Sequence, residues 1–368
     1  DRLVAAHRAM LELQALIKQE AKPGVSSGKI YDLAMEFIKA RGYEDNFMGA
    51  GSDRVRFVGH GVGLELDEYP FPKASLSVIE AVRERGNPYR TEVSSEASSE
   101  DMPGSGPIVD QHGRTFDYLR IAVLEQCNLR CVYCMPEEGL PWMKRDELLS
   151  YEEIADIVRT MAGLGLRRVR LTGGEPLVRQ DLVKLIEMIS AVPGIDDISL
   201  STNAVLLDRL AEPLRDAGLN RINVSLDSLR PDRVDALARR PGSYRRIMDG
   251  LAEAERVGFD PIKINTVLIR GRNDDEIRDF ARLTLDRSWH VRFIEIMPTD
   301  SNLQLSAGST LTCAEALELI REIDELVPVP GPAGNGPADY FQLPGAVGTI
   351  GVITPMSHNF CDRCNRFR

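Results

Sequence analysis

The sequence predicts an α/β protein built on a parallel sheet, and three observations carry that expectation. From Phe116 onward, short apolar runs of strand length alternate with longer stretches whose apolar residues recur at helical spacing. Six such units follow one another, and strand–helix–strand units of this length make neighbouring strands parallel. The residues with chemical capability fall just past the carboxyl ends of the runs, the face on which barrel-like α/β folds build their sites.

The strand runs are Tyr118–Val123, Arg168–Leu171, Ile198–Ser201, Ile222–Leu226, Ile262–Leu268 and Val291–Ile296. Helical periodicity covers Tyr151–Leu164, Leu182–Ile189, Leu206–Ala217, Tyr244–Val257 and Asp275–Leu285. Ser150, with Glu153 three residues on, forms a capping box for the first of these. The amino-terminal part has a different texture. Residues 1 to about 20 carry helical spacing, Pro23-Gly24 breaks it, and Ser27 is placed to cap a second helix reaching Gly42. A short helix over Leu76–Arg85 precedes Thr91–Pro107, which is rich in serine, acidic residues, glycine and proline. That is the composition of a flexible linker, so residues 73–107 are expected to separate two parts of the chain.

The 368 residues are 43% hydrophobic and 27% charged, ordinary for a soluble globular chain. A net charge of −11 disfavours a general nucleic-acid binder while leaving room for a local basic pocket around an anion. No apolar run is long enough to span a bilayer and no signal peptide is evident, so no membrane partner is expected. Five of the six cysteines sit in two tight clusters, a pattern of metal ligation in a reducing compartment, and a cytoplasmic location is expected. The chain starts at Asp1 without a methionine and stops at Arg368 inside a motif, so both ends read as incomplete.

Cys127, Cys131 and Cys134 lie at intervals of four and three directly after the first strand. A cube of four irons needs four ligands, usually thiolates, and three cysteines leave one iron open to another ligand. The same spacing fits a half-built zinc site or a structural thiol cluster. Thr172-Gly173-Gly174-Glu175-Pro176 follows the second strand, Thr202-Asn203 the third, Asp227-Ser228 the fourth and Met297 the sixth. Gly173 and Gly174, after the second strand, let backbone approach a ligand closely. Near the carboxyl end, Cys361 and Cys364 form a Cys-x-x-Cys pair that reads equally as a zinc half-site or a redox dithiol. Cys313, beside the helix cap Thr312, reads as a plain thiol.

Residues from about 108 to 368 resemble the radical S-adenosylmethionine superfamily and, more closely, the GTP 3′,8-cyclases of molybdenum cofactor biosynthesis. The resemblance runs through Cys127-Asn-Leu-Arg-Cys-Val-Tyr-Cys134, Arg170-Leu-Thr-Gly-Gly-Glu-Pro, Asn223-Val-Ser-Leu-Asp-Ser, Lys263-Ile-Asn-Thr-Val, Arg292-Phe-Ile-Glu-Ile-Met and Cys361-Asp-Arg-Cys-Asn-Arg-Phe-Arg368. It implies an incomplete (βα)6 TIM-like barrel over 108–330 and a second-cluster segment over 331–368. It implies a [4Fe-4S] cluster on Cys127, Cys131 and Cys134, whose open iron binds S-adenosylmethionine and releases a 5′-deoxyadenosyl radical. Tyr133, Gly174, Ser225 and Met297 match the contacts to S-adenosylmethionine. Arg120, Arg170, Ser201, Lys263, Arg366, Phe367 and Arg368 match the contacts to GTP, and Arg168 stands where a second basic residue is usual. Cys361 and Cys364 match two of three ligands of a second [4Fe-4S] cluster; the third is expected fourteen residues later, past Arg368. The first cluster is therefore expected to assemble and the second to be absent or labile. A reducing partner such as flavodoxin or ferredoxin is implied, and a homodimer is left open.

Residues 1–72 resemble part of the pita-bread metallopeptidases, the methionine and Xaa-Pro aminopeptidases, through Gly59-His60-Gly61-Val62-Gly63-Leu64. In that family the histidine is one of five ligands to a metal pair, and His60 matches it. The carboxylate ligands have no counterparts here, and one imidazole cannot hold two metals, so this segment is expected to be an inactive, loosely packed α+β remnant. Other readings stay open: another radical S-adenosylmethionine enzyme with an auxiliary cluster, or a catalytically impaired fusion fragment.

Overall fold

The computed structural model describes residues 107–109, 114–140, 142, 147–297, 310–333, 336–358 and 366–367, together with Leu16, Leu33, Glu36, Phe37, Lys39 and Ala40. The chain divides into two units, one of residues 1–97 and one reaching from Ser98 to Phe367. In the first, all six described positions are helical and fall within the two helices expected from periodicity. His60, the 76–85 helix and the 73–106 stretch lie outside the described residues.

In the second unit the first half of the chain runs β1 (Tyr118–Ala122), α1 (Tyr151–Gly163), β2 (Arg168–Thr172), α2 (Leu182–Ser190), β3 (Asp197–Thr202), α3 (Leu207–Asp216) and β4 (Arg221–Ser225). It continues through α4 (Pro231–Ala238), α5 (Ser243–Arg256), β5 (Ile262–Leu268), α6 (Ile277–Asp286) and β6 (His290–Glu295). Then come α7 (Cys313–Arg321), β7 (Val327–Val329), β8 (Asp339–Gln342), β9 (Thr349–Ile353) and β10 (Arg366–Phe367).

All ten strands form one sheet in the order β10-β1-β2-β3-β4-β5-β6-β9-β8-β7. The six strands read from sequence are parallel neighbours in chain order, as the crossover helices require. β9 joins β6 in parallel, while β8 and β7 fold back antiparallel at the far edge. Neither end strand pairs with the other, so among the described residues the barrel stays open. The Ser150–Glu153 capping box is present, with Glu153 N donating to Ser150 Oγ at 3.1 Å and Ser150 N to Glu153 Oε2 at 2.8 Å. Thr312 and Glu315 repeat it at α7. α4 has no counterpart in the sequence reading, since eight residues are too few to display a period.

The strands alternate. Val169, Leu171, Ile198, Leu200, Ile222, Val224, Ile264, Val291 and Phe293 pack with the helices in one continuous apolar core. The intervening residues, Arg168, Arg170, Ser199, Ser201, Arg221, Asn223, Lys263, Asn265 and Arg292, belong to the opposite face by the two-residue period of a strand. Parallel strands buried on both faces read as continuous apolar runs. A sheet with one polar face holds something polar there.

Candidate active site

The thiol loop leaves β1 and is bound to the loops after β2, β3 and β4. Gly174 N donates to Leu124 O and Glu175 N to Gln126 O, both at 2.9 Å. The contact is tight enough to demand glycine. A Cβ on Gly174 would lie 2.1 Å from Glu125 O and 2.5 Å from Gln126 O, and one on Gly173 would lie 2.1 Å from Leu124 O. Glu175, 1% exposed, accepts from Thr202 Oγ1 at 2.7 Å, Asn203 N at 2.6 Å and Leu177 N at 3.0 Å. Burial raises its carboxyl to about 7 against those three donors. Asn203 in turn donates to Asn128 Oδ1 at 2.7 Å and lies 3.9 Å from Cys127 Sγ. On the other side Tyr133 donates to Asp227 Oδ2 at 2.8 Å, and Val267 N donates to Asp227 Oδ1 at 2.9 Å. Burial lifts Asp227 to about 6.

All three thiols of the loop are free. Burial pushes Cys127 up to about 11, opposed by the Leu129 N–H that points at its sulfur from 3.4 Å. Cys131 is raised, first by its hydrogen bond to Cys134 and then by burial, and the same bond lowers Cys134. Thiols that are costly to ionise alone become good ligands once a cation takes the place of their protons. Among the described residues no three such groups converge on a point fit for a single metal ion. Three soft donors spread along one loop, backed by a backbone N–H to sulfur, fit the corners of a larger iron–sulfur group.

Deeper on the polar face lies a nest of cations. Arg221, Lys263 and Arg292 are only 2–3% exposed. Burial, opposed by Tyr118 and reinforced by Arg292, Arg221 and Arg120, holds Arg170 down to about 9. Burial, with the charges of Arg292, Arg221 and Arg170, pushes Lys263 down to about 6, and burial depresses Arg292 against the opposing pull of Tyr340 and Tyr118. Arg221 pairs with Asp197, its Nε at 2.8 Å from Oδ1. Arg292 Nη2 donates to Asn223 Oδ1 at 2.7 Å, Arg170 Nε to Ser199 Oγ at 3.3 Å and Lys263 Nζ to Ala333 O at 2.6 Å. Arg170 Nη2, Arg221 Nη1, Arg292 Nε and the Tyr118 hydroxyl are buried without a hydrogen-bond partner among the described residues. Orphaned donors on clustered cations fit a polyanion.

The structure brings most of the expected site residues to this face and its rim. Arg120 stands opposite Arg170 in the β1–β2 register, Ser201 opposite Asn223, and Ser225 opposite Asn265. Met297, 38% exposed, follows β6 directly. Arg366 and Phe367 form β10 and pair with Tyr118 and Leu119, beside Arg120. Arg168 forms an ion pair with Asp117. Cys361, Cys364 and Arg368 lie outside the described residues. Cys313 is buried, 1% exposed, in the apolar core, its thiol pushed up to about 12 by burial. Sequence reasoning missed Arg221, the side chain of Arg292 and Tyr118 as members of the nest. Their signal was the alternation of charged and apolar residues within a single strand.

Residues 121–284 match the Radical SAM superfamily and residues 289–368 match Molybdenum Cofactor Synthesis C. A GTP 3′,8-cyclase of Pelotomaculum thermopropionicum is 49% identical over 260 residues, covering 70% of this chain and 80% of that protein. This chain belongs to the GTP 3′,8-cyclase family. Two further cyclases of that family agree: one of Listeria monocytogenes serotype 4b is 48% identical over 71% of this chain and 78% of its own length, and one of Petrotoga mobilis 46% over 71% and 80%. Residues 1–91 match Metallopeptidase family M24, in keeping with the pita-bread resemblance of the amino-terminal segment.

Proposed function

We propose that this chain converts GTP to (8S)-3′,8-cyclo-7,8-dihydroguanosine 5′-triphosphate, the first step of molybdenum cofactor biosynthesis. The observation that carries the reading is the nest of Arg170, Arg221, Lys263 and Arg292, with buried N–H groups lacking partners, on the same sheet whose strand ends hold three free thiols. In our reading the triphosphate lies against Arg120, Arg170, Ser201 and Lys263, with Arg292 joining them. Arg366, Phe367 and Arg368 are assigned to the nucleotide as well. Cys127, Cys131 and Cys134 hold a [4Fe-4S] cluster, and Tyr133, Gly174, Ser225 and Met297 orient S-adenosylmethionine. Bound there, the pair supplies the 5′-deoxyadenosyl radical that takes a hydrogen atom from the ribose. The chain's own part is to fix the nucleotide by its phosphates and to keep water from the reacting carbon.

Cys361 and Cys364 are proposed as two of the ligands of a second [4Fe-4S] cluster. We read residues 108–330 as the partial barrel, 331–368 as the second-cluster segment, 73–107 as a linker and 1–72 as a peptidase-like segment. The unit boundary between residues 97 and 98 supports the linker. No helix among the described residues is long and apolar enough to cross a membrane. A cytoplasmic setting, an electron donor of the flavodoxin or ferredoxin kind and a homodimer belong to the same proposal.

Formation of 5′-deoxyadenosine that depends on GTP, in anaerobically reconstituted protein, tests the reading. Formation at the same rate without GTP contradicts it.

A further inference from the structure

The end of α4 is built around the thiol loop. A helix leaves its last carbonyls without intrahelical donors, and here those of Leu237 and Ala238 accept the N–H groups of Val132 and Arg130 at 2.9 and 3.0 Å. The next residue, Arg239, has φ 50° and ψ 37°, a left-handed conformation that side chains disfavour. The turn brings its guanidinium back over the loop, where Nη1 donates to Met135 O at 2.9 Å and reaches Arg130 O at 3.5 Å. Arg240 Nη1 donates to Asn128 O. Within the loop, Arg130 Nη1 donates to Cys127 O at 2.8 Å and to Leu129 O at 2.9 Å.

The carbonyls of Cys127, Asn128, Leu129, Arg130 and Met135 therefore turn outward to guanidinium groups. The Leu129 N–H turns inward to the Cys127 sulfur. These guanidinium bonds go to neutral carbonyls, so Arg130 and Arg239 keep their charge beside Cys127 and Cys134, against the opposing carboxylates of Glu175 and Asp227. An iron–sulfur cluster gains negative charge on reduction, and its potential follows net charge and hydrogen bonds at sulfur.

We propose that Arg130, Arg239 and Arg240 form a guanidinium collar that holds the thiol loop in its cluster-binding shape and raises the reduction potential of the cluster bound there. The proposal rests on reading the loop as a cluster site. Arg239 and Arg240 act through the loop and are positioning residues.

The test uses the full chain and the variants R239Q/R240Q, R239K/R240K and R239G. The midpoint potential is read by paramagnetic resonance on reconstituted protein, and amide exchange over residues 128–135 on cluster-free protein. The glutamine pair is expected to lower the reduced-to-oxidised ratio at fixed potential about tenfold, ~59 mV for one electron. The lysine pair restores it. In cluster-free protein, loop exchange quickens about tenfold in the glutamine pair and also in R239G, which keeps the left-handed turn but loses the side chain. An unshifted potential in the glutamine pair, or a lysine pair that behaves like it, overturns the electrostatic role. Unchanged exchange overturns the holding role. If the unaltered chain binds no cluster, the cluster reading itself fails, and the exchange arm still decides whether the arginines hold the loop.

Discussion

Replacing Lys263 with methionine is expected to stabilise the ligand-free protein and to remove a proton uptake that accompanies GTP binding. Burial and the charges of Arg292, Arg221 and Arg170 push the Lys263 amine from its usual 10.5 to about 6, opposed only by Asp197. At ~1.4 kcal/mol per tenfold, that displacement penalises the charged form by roughly 6 kcal/mol. An amine titrating near 6 is protonated in about 1% of molecules at pH 8. A triphosphate among these cations restores the charge, so about one proton enters per GTP bound. An unfolded lysine keeps its proton to about pH 10.5, whereas the folded one releases it near 6. The ligand-free protein therefore gains stability as pH rises from about 6 to about 10. His290, pushed down to about 4 mainly by burial, stays neutral at pH 8 and does not confuse the count. Calorimetric titration with saturating GTP at pH 8, in two buffers of different ionisation heat, measures the uptake. Absence of uptake in the unaltered protein, or equal uptake in K263M, refutes the reasoning, as does stability that falls between pH 6 and 9.

Further outcomes follow from single contacts. Gly174→Ala drives a Cβ against the backbone carbonyls of Glu125 and Gln126, and is expected to cost roughly 1–3 kcal/mol; thermal unfolding and retained iron check it, and an unchanged midpoint with full iron contradicts it. Glu295→Ala strands Cys313 N, Met356 N and Ser357 N, which its buried carboxylate now accepts. Cys313 N is buried whereas Met356 and Ser357 are exposed and can turn to water, so at roughly 1–3 kcal/mol for the one buried donor denaturant unfolding should show a loss of that size; no loss speaks against the anchor. Cys127→Ser is expected to abolish the first cluster, while Cys313→Ser leaves iron content unchanged, because Cys313 is enclosed in the apolar core.

The six parallel strands were legible because each is a short β-branched or leucine-rich run between helical periods, and all six fall within one or two residues of their expected limits. The cysteine spacing and the Gly-Gly-Glu-Pro turn were legible because they are local: ligand and cradle lie within a few residues. α4 was not, since Pro231–Ala238 is too short to show a period. The antiparallel β8 and β7 were not, because four and three residues are too few to show an alternation, and they are held by pairing, β8 to β9 and β7 to β8.

From the chain alone came the class of the fold, the thiol loop and the individual arginines, because backbone periodicity and ligand spacing are properties of neighbours in sequence. Tertiary structure alone decided that Arg170, Arg221, Lys263 and Arg292 face one another, and that Arg239 and Arg240 reach the loop of Cys127. An isolated arginine in a strand is a surface charge until its neighbouring strands are known. Parallel pairing from β2 through β6 turns charges dozens of residues apart into one field, and burial then makes that field strong enough to demand an anion.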